Sequence, residues 1–347
     1  MPYHHLSSWD RAKIEAMWVM GFSKARMARE LKRSPSTIGR ELRRNQDRER
    51  GYVAPAAQWR YLKARERLVK AHKLEDSELM QAVKDKLWEG WSPEQIAGRF
   101  RQQDYADQTK MWISHETIYR FVYQDKQRGG ILYKHLRRGQ KKYGKRGTGR
   151  HPNRFIEGRV SIDERPAVVT TRARVGDWEG DTFFGRHRKS CLATLVERKS
   201  LYLVARKMPD CTARSLNHAV IEGLHELPRP SVQTITVDNG KEFARFKTIE
   251  QCLNARVYFA DPYSAWQRGT GENTNGLLRQ FVPRKTDLRN LTQPAMDFIV
   301  QRLNNRPRKK LKYRTPREVF QEALLHLTVE SACESRGIWL TNVQLVI

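Results

Sequence analysis

The sequence predicts a multidomain protein in which an all-α N-terminal half, built from helix-turn-helix units, precedes an α/β domain with a mixed five-stranded sheet. The chain has 347 residues, more than one average domain requires. Apolar residues recur at helical spacing before about residue 130, whereas apolar runs bounded by turn residues follow residue 170. This change of pattern along the chain separates the two halves.

The net charge of the chain indicates the class of partner that it binds. The formal net charge is +28 and the isoelectric point is about 10.3, which favours a polyanion such as nucleic acid over a small-molecule substrate. No stretch approaches the roughly 20 apolar residues of a membrane-spanning helix, so we expect no membrane partner. The N-terminus has no pattern of a secretory signal. Four scattered cysteines without a C-x-x-C pair predict reduced, mostly packed thiols, with neither a disulfide framework nor a zinc site.

The first helix-turn-helix unit is predicted from caps and apolar spacing. A helix over residues 10–21 ends at Gly21, Ser23 caps a second helix, and Ser34 caps a third that continues to Arg44. The last helix of such a unit lies in the major groove of DNA. The residues of this helix predicted to contact DNA are Ser36, Thr37, Arg40, Arg43 and Arg44.

A second copy of this pattern follows. The stretch Ser34-Pro-Ser-Thr-Ile-Gly-Arg40 is matched by Ser114-His-Glu-Thr-Ile-Tyr-Arg120, which predicts DNA contacts by Thr117 and Arg120. Its middle and last helices are separated by a longer segment, 102–112, so its turn is atypical. Each unit alone would also suit a small helical bundle with solvated arginines. Repetition within a strongly basic chain favours DNA binding.

The domain organisation follows from these units. Residues 127–150 contain no acidic residue and many lysines and arginines, which predicts a basic flexible linker whose Lys141 and Lys142 contact DNA; a solvated tether is the alternative. The predicted segments are a helix-turn-helix domain (1–50), a connecting helix (51–75), a second helix-turn-helix domain (76–127), the basic linker (128–170), a catalytic core (171–327) and a tail without assigned role (328–347).

Strands dominate the C-terminal half. Three consecutive strands, a helix, and then strands alternating with helices follow the order of the RNase H-like fold. The predicted strands are Gly176–Phe184, Cys191–Arg198, Leu201–Lys207, Val232–Asp238 and Arg256–Phe259, and the predicted helices are Ala213–Leu227, Phe246–Leu253 and one that starts near Gly271.

Three carboxylates fall where this fold brings chain segments together. Asp181 lies on the first strand, Asp238 ends the fourth, and Glu272 opens the final helix. Phosphodiester chemistry uses two Mg²⁺ or Mn²⁺ ions about 4 Å apart, and such hard cations take oxygen ligands. We therefore predict that these three residues hold two metal ions. A single acid at a strand end is ordinarily a turn former, so the prediction depends on the set.

Residues near these acids have predicted roles as well. The loop 261–269 carries Trp266 and Arg268, which we expect to contact a DNA end. Arg279 follows Glu272 by two helical turns and so shares its face, where it can meet a phosphate; a surface pair is the alternative. Two further acids, Asp177 and Glu179, share a strand face with Asp181 but rank below it, because only Asp181 is near the end of the strand.

Longer blocks of sequence resemble a known family. Trp178-Glu-Gly-Asp181, Val237-Asp-Asn-Gly-Lys-Glu-Phe243 and Pro262–Arg279 resemble the signature blocks of the IS30 family of bacterial insertion-sequence transposases. The resemblance implies an Asp-Asp-Glu recombinase with a retroviral-integrase-type core, in which Asp181, Asp238 and Glu272 act with Arg279. It also implies binding to terminal inverted repeats, cleavage and transfer of DNA strands, a homo-oligomer on paired ends, and a place in the bacterial cytoplasm at the nucleoid.

Two alternatives belong to other classes. One is a sequence-specific DNA-binding regulator with an inactive nuclease domain, which the complete acidic triad disfavours. The other is an RNase H-like nuclease that cuts strands without joining them. Two predicted DNA-reading units disfavour that class, because a structure-selective nuclease needs neither.

Overall fold

The computed structural model describes residues 5–47, 51–68, 77–137, 156–186, 190–262 and 264–335. The chain divides into two compact units, Met1–Met80 and Gln81–Ile347. Across the described ranges, no helix combines the length and the apolar character needed to cross a membrane.

The first unit is helical, as predicted. Its elements are α1 (Ser8–Val19), α2 (Lys24–Glu30), α3 (Pro35–Asn45), a short antiparallel hairpin of β1 (Gln46–Asp47) and β2 (Gly51–Tyr52), and α4 (Ala54–Leu68). The hydroxyls of Ser23 and Ser34 accept N–H groups in the first turns of α2 and α3, which confirms both predicted caps. Apolar residues at helical spacing close the core; they include Ile14, Met27, Ile38 and Leu42.

A buried ion pair fixes α3 within this unit. Arg11 of α1 donates to the Glu41 carboxylate of α3 at 2.8 Å, and the Tyr52 hydroxyl donates to the same oxygen at 3.1 Å. Arg11 also donates to the Gln58 side chain of α4. A buried charge is tolerated only when it is paired and hydrogen-bonded. This network therefore fixes how α1 and α4 pack against α3, the predicted DNA-reading helix.

The second unit begins with another set of three helices, most of it as predicted. These are α5 (Ser77–Trp88), whose first residues belong to the first unit, α6 (Pro93–Arg99) and α7 (His115–Gln127). Ser92 and Ser114 cap α6 and α7 through their hydroxyls. The atypical connection between them contains a π-helical turn, Phe100–Asp104, and a 3-10 turn, Thr109–Met111.

These helices pack against the C-terminal end of the same unit. Arg99 makes two hydrogen bonds of 2.8 Å to Glu318, and Gln95 accepts from Arg306 at 2.7 Å. Gly98 lies directly against the Tyr313 ring, with no room for a side chain. The second set of helices is thus joined to the helices that follow the sheet.

A five-stranded sheet forms the centre of the second unit. The strands are β3 (Asp177–Phe184), β4 (Cys191–Glu197), β5 (Leu203–Met208), β6 (Thr234–Val237) and β7 (Arg256–Phe259), in the order β5-β4-β3-β6-β7. β3, β4 and β5 are antiparallel, and β6 and β7 run parallel to β3 and to each other. The mixed five-stranded sheet and the predicted order of its elements are confirmed.

Helices cover both faces of the sheet. One apolar cluster joins the sheet to α9 (Ala213–His225), α10 (Phe246–Leu253) and α13 (Pro316–Ser335). A second cluster joins the opposite face to α11 (Gly269–Leu278) and α12 (Gln293–Asn304). α8 (Ala167–Thr171) precedes the first strand of the sheet. Alternation along β3 places Trp178 on the first face and Phe183 on the second, so its acidic residues at odd positions face α11.

The predicted linker and tail are only partly described. Within 128–170, a 3-10 turn covers Leu132–His135, and the carbonyl of Val160 accepts the N–H of Phe259 at the edge of the sheet. Residues 138–155, with Lys141 and Lys142, lie outside the described residues. α13 continues into the predicted tail as far as Ser335. The predicted domain boundaries stay predictions.

The expectation of reduced, packed thiols was wrong. Cys191 and Cys211 are joined by a disulfide, and Cys252 is exposed. The antiparallel register pairs Cys191 with Met208 at the end of β5, so the chain that leaves this strand carries Cys211 to a Cα distance of 5.9 Å from Cys191. The strand register brings Cys191 and Cys211 together, and their separation of 20 residues in sequence gives no sign of it.

Candidate active site and DNA-binding helices

Two of the predicted acids meet at adjacent strands. β6 runs parallel to β3 with Glu179 opposite Thr236, so Asp238, which follows β6, lies beside Asp181. The Arg268 guanidinium joins them, with 3.5 Å from Nη1 to Asp181 Oδ1 and 3.2 Å from Nη2 to Asp238 Oδ2. The two carboxylates thus converge on a single positive charge.

Burial and neighbouring charges perturb the carboxyl of Asp181. Removal from water raises the pKa of its carboxyl; the Arg268 cation opposes this, and the negative charge of Asp238 adds to it. The Arg268 cation therefore offsets part of the repulsion between the two neighbouring carboxylates. This pair is suited to binding positive charge.

Asn275 completes the contacts of Asp181. This residue of α11 donates from Nδ2 to Asp181 Oδ2 at 2.7 Å, while its own Oδ1 is buried without a hydrogen-bond partner. Asn275 falls within the block Pro262–Arg279 that resembles the family, but the sequence alone assigns it no role. Its position three residues after Glu272, on one helix face, was the signal that could have identified it.

Glu272 stands apart from the other two acids. It lies in the first turn of α11, with an exposed side chain. Among the described residues, no three His, Cys, Asp or Glu side chains are grouped closely enough to hold a metal ion. The structure thus brings Asp181 and Asp238 together and leaves Glu272 on the neighbouring helix.

Arg279 ends α11 against the end of β3. Its Nη2 donates to the carbonyl of Phe184 at 2.8 Å, and its guanidinium lies 3.5 Å from the centre of the Phe183 ring. Burial and then the charge of Arg284 lower the pKa of Arg279 to about 10, and the charge of Asp181 opposes them. Its Nη1 is buried without a hydrogen-bond partner. The Arg279 guanidinium therefore joins the end of α11 to the end of β3 through Nη2, while its Nη1 has no hydrogen-bond acceptor.

The two lower-ranked acids of β3 are fully engaged. Asp177 accepts from Arg174 at 3.0 Å and from the Thr234 hydroxyl at 2.8 Å. Glu179 accepts from Arg198 at 2.6 Å and from the N–H of Gly271 at 2.7 Å. All four oxygens of the two carboxylates accept a hydrogen bond in these contacts.

The loop before α11 presents Trp266 to solvent. Gln267 closes the loop by donating to the Asp261 carboxylate and accepting the Asp261 N–H, both at 2.8 Å. Trp266 is 77% exposed, while Arg268 points back to the acids. The closed loop thus separates the two residues that we predicted to contact DNA.

The two predicted DNA-reading helices share a capping serine, a threonine in the first turn and one exposed arginine. In α3 the residues Arg40, Arg43 and Arg44 are exposed, and the hydroxyls of Ser36 and Thr37 each lie 2.9 Å from that of Ser34. In α7 the hydroxyl of Thr117 lies 2.9 Å from that of Ser114, and Arg120 is exposed. The predicted repeat therefore extends from sequence to local structure.

Comparison with known proteins gives the family. Residues 2–45 match the helix-turn-helix domain, and residues 172–265 match the integrase core domain, which includes Asp181 and Asp238 and ends before Glu272. The chain is 40% identical, over 94% of its length and 97% of the relative's, to the transposase for insertion sequence element IS1086 of Cupriavidus metallidurans. It is 39% identical to the transposase for IS4351 of Bacteroides fragilis, over 92% of this chain and 96% of that one.

A third relative names the family. The chain is 38% identical to transposase InsI for element IS30C of Escherichia coli, over 92% of its own length and 84% of the relative's. The chain belongs to the IS30 family of insertion-sequence transposases. Its function is DNA transposition, its helix-turn-helix domain binds DNA, and its integrase core makes this IS30-family transposase a polynucleotidyl transferase.

Proposed function

We propose that Asp181, Asp238 and Glu272 form the catalytic triad of this transposase and hold two Mg²⁺ or Mn²⁺ ions. The observation that carries the proposal is the convergence of Asp181 and Asp238 on the Arg268 guanidinium. A divalent cation would meet the same two carboxylates. Oxygen donors are the ligands that such hard cations require.

The neighbouring groups support this donor set. The buried Oδ1 of Asn275 is a further oxygen without a hydrogen-bond partner. Glu272 precedes Asn275 by three residues and so lies on the helix face that meets Asp181. When bound, the ions would activate the attacking oxygen and stabilise the leaving oxygen of a phosphodiester. The carboxylates bring the negative charge that retains the ions.

The chain's other residues would position DNA. Arg279 is anchored through Nη2, and its unpartnered Nη1 would donate to a phosphate near the acids. Trp266 has an exposed ring on which an unpaired base would stack, and Arg268, once released from the acids, would neutralise a phosphate. These contacts would hold a DNA end at the carboxylates.

The helical units would supply the sequence specificity. We assign α3 and α7 to the terminal inverted repeats of the element, with the linker residues Lys141 and Lys142 on backbone phosphates. Paired ends require at least two copies of the chain, so the active complex is a dimer or a larger homo-oligomer. Because its substrate is DNA, the protein would act at the nucleoid of the bacterial cytoplasm.

A strand-transfer assay with Mg²⁺ tests the triad. Labelled DNA carrying the element's own end is incubated with wild type, Asp181→Asn, Asp238→Asn or Glu272→Gln. We expect joined products from wild type only, with gel-shift affinity kept in all variants because none alters α3 or α7. Joining by any of the variants at the wild-type rate would remove that residue from the triad.

The same assay separates the other functional classes. Metal-dependent cutting without joined products in the wild type would indicate a nuclease. Specific binding to the end with neither cutting nor joining would indicate a regulator. Omitting Mg²⁺ and adding Mn²⁺ back in its place tests the metal requirement, since either ion suits oxygen ligands.

A further inference from the structure

Helix α11 begins without a capping side chain of its own. The residue before its first turn, Arg268, makes no side-chain capping hydrogen bond, because a guanidinium has no atom that can accept a backbone N–H. The first N–H groups of a helix have no acceptor within the helix and need one from elsewhere. At α11 the acceptor is Glu179 of β3, whose Oε2 lies 2.7 Å from the N of Gly271.

Glu179 itself is held rigidly. It is 2% exposed, and its second oxygen, Oε1, accepts from Arg198 Nη1 at 2.6 Å. A carboxylate at a helix N-terminus is favoured by the helix dipole, and burial strengthens the interaction. Both oxygens are therefore committed, one to the helix and one to the arginine.

A second contact secures the same turn. Arg172 donates to the Thr270 hydroxyl at 2.9 Å and to the carbonyl of Arg198 at 3.3 Å. Consecutive residues of the first turn, Thr270 and Gly271, are thus fastened to the region where β4 ends. This fixes both the rotation and the position of α11 relative to β3.

We propose that Glu179 is a positioning residue that sets the active-site geometry through α11, and that it is not a metal ligand. This inference rests on the proposed triad. Gly271 directly precedes Glu272, and one turn later Asn275 bonds Asp181, the residue two positions beyond Glu179 on the same strand face. One carboxylate therefore holds the helix that carries Glu272 in register with the strand that carries Asp181.

Asp177 provides a matched control. It is a second buried carboxylate on the same face of β3, paired with an arginine, but its partners are Arg174 and Thr234 and none of them belongs to α11. Replacing Asp177 removes the ion pair of a second buried carboxylate without removing a contact to α11, although its partner Arg174 is more exposed than Arg198. Effects on α11 that appear with Glu179 and not with Asp177 are therefore specific.

The experiment compares full-length wild type, Glu179→Ala, Glu179→Gln, Asp177→Ala and Asp181→Asn by amide hydrogen exchange. Peptides covering residues 269–278 report the first turn of α11, and we expect faster exchange there in Glu179→Ala but not in Asp177→Ala. Glu179→Gln keeps an acceptor oxygen for Gly271, so it should retain most of the protection. If Glu179→Ala does not fold, the comparison is made with Glu179→Gln instead.

Mn²⁺ binding and strand-transfer kinetics accompany this measurement. Mutation of a group that orients metal ligands without touching the metal typically lowers metal affinity or activity by about 10–100-fold. We expect Glu179→Ala to lose about that much in kcat and Mn²⁺ affinity with an unchanged KM for DNA, and Glu179→Gln to recover most of it. Asp177→Ala should keep both values per folded molecule.

Two results would overturn the inference. Equal effects of Glu179→Ala and Asp177→Ala on α11 exchange and on kcat would make Glu179 a merely structural residue. A Glu179→Gln variant as deficient in Mn²⁺ binding as Asp181→Asn would make it a ligand. If Asp181→Asn itself keeps wild-type binding and joining, the proposed triad fails, and the exchange data still report whether Glu179 caps α11.

Discussion

Replacing Arg268 by methionine would remove the cation between Asp181 and Asp238 while keeping a side chain of similar length. This guanidinium contacts both carboxylates, at 3.5 and 3.2 Å. A metal ion that binds the same oxygens must displace it. We therefore expect Arg268→Met to bind Mn²⁺ more tightly than wild type when DNA is absent.

The size of the effect follows from the exposure of the three side chains. Arg268 is 13% exposed, whereas Asp181 and Asp238 are 26% and 41% exposed, so solvent screens both ion pairs. Partly screened pairs contribute up to about 1 kcal/mol each. Displacing the guanidinium therefore costs about 1–2 kcal/mol, and its absence should tighten Mn²⁺ binding by about 5–30-fold.

The assay is titration of the full chain with Mn²⁺, in which electron paramagnetic resonance measures the free ion. Arg256→Met is the control, because it removes one positive charge from an exposed residue of β7 and leaves the acids untouched. Arg268→Lys keeps a charge and should stay closer to wild type. Unchanged or weaker binding by Arg268→Met would refute the reasoning and show that Arg268 organises the acids for metal instead of competing with it.

Three further predictions concern the helical units. Glu41→Leu leaves its buried arginine partner unpaired and should lower the free energy of unfolding by about 3–5 kcal/mol in a urea titration, whereas Glu30→Ala on the exposed end of α2 should change it by less than about 0.5 kcal/mol. Arg40→Ala should weaken binding to the terminal repeat by about 1–3 kcal/mol in a gel shift if Arg40 reads a base, and Arg40→Lys should then fail to restore it; full restoration by lysine would indicate a phosphate contact. In thermal unfolding, Gly98→Ala should destabilise the protein by about 1–3 kcal/mol, because the added carbon meets a tyrosine ring. Gly39→Ala, with open space around it, should stabilise α3 by up to about 1 kcal/mol in the same measurement. A change of the same sign in both variants would contradict this account.

Local sequence predicted the elements well because the signals are local. Ser23 and Ser34 cap helices through hydroxyls that reach only three residues ahead. Alternating apolar residues marked the strands, and Asp181 and Asp238 were assigned from their places on two of them. The sequence predicted that Asp181, Asp238 and Glu272 would converge, and the parallel pairing of β3 and β6 brings the first two of them side by side.

The functional partners of those acids were harder to predict. The contacts Gly271–Glu179 and Asn275–Asp181 span 92 and 94 residues of sequence. Whether a helix residue faces a strand depends on the rotation of α11, which packing against the sheet fixes. Glu179 looked like a weaker alternative to Asp181 because alternation gives both the same face, and only the contacts show that its oxygens are committed elsewhere.

The sequence by itself determined the class of this protein. It is enough to recognise the charge, the repeated helical unit, the order of strands and helices, and the acidic residues. The tertiary structure decided which groups share an environment. It placed Arg268 between two carboxylates, joined Cys191 to Cys211, and left Glu272 on the neighbouring helix. The physical reason is that strand register and helix rotation are set by packing of the whole core, to which residues far apart in sequence contribute together.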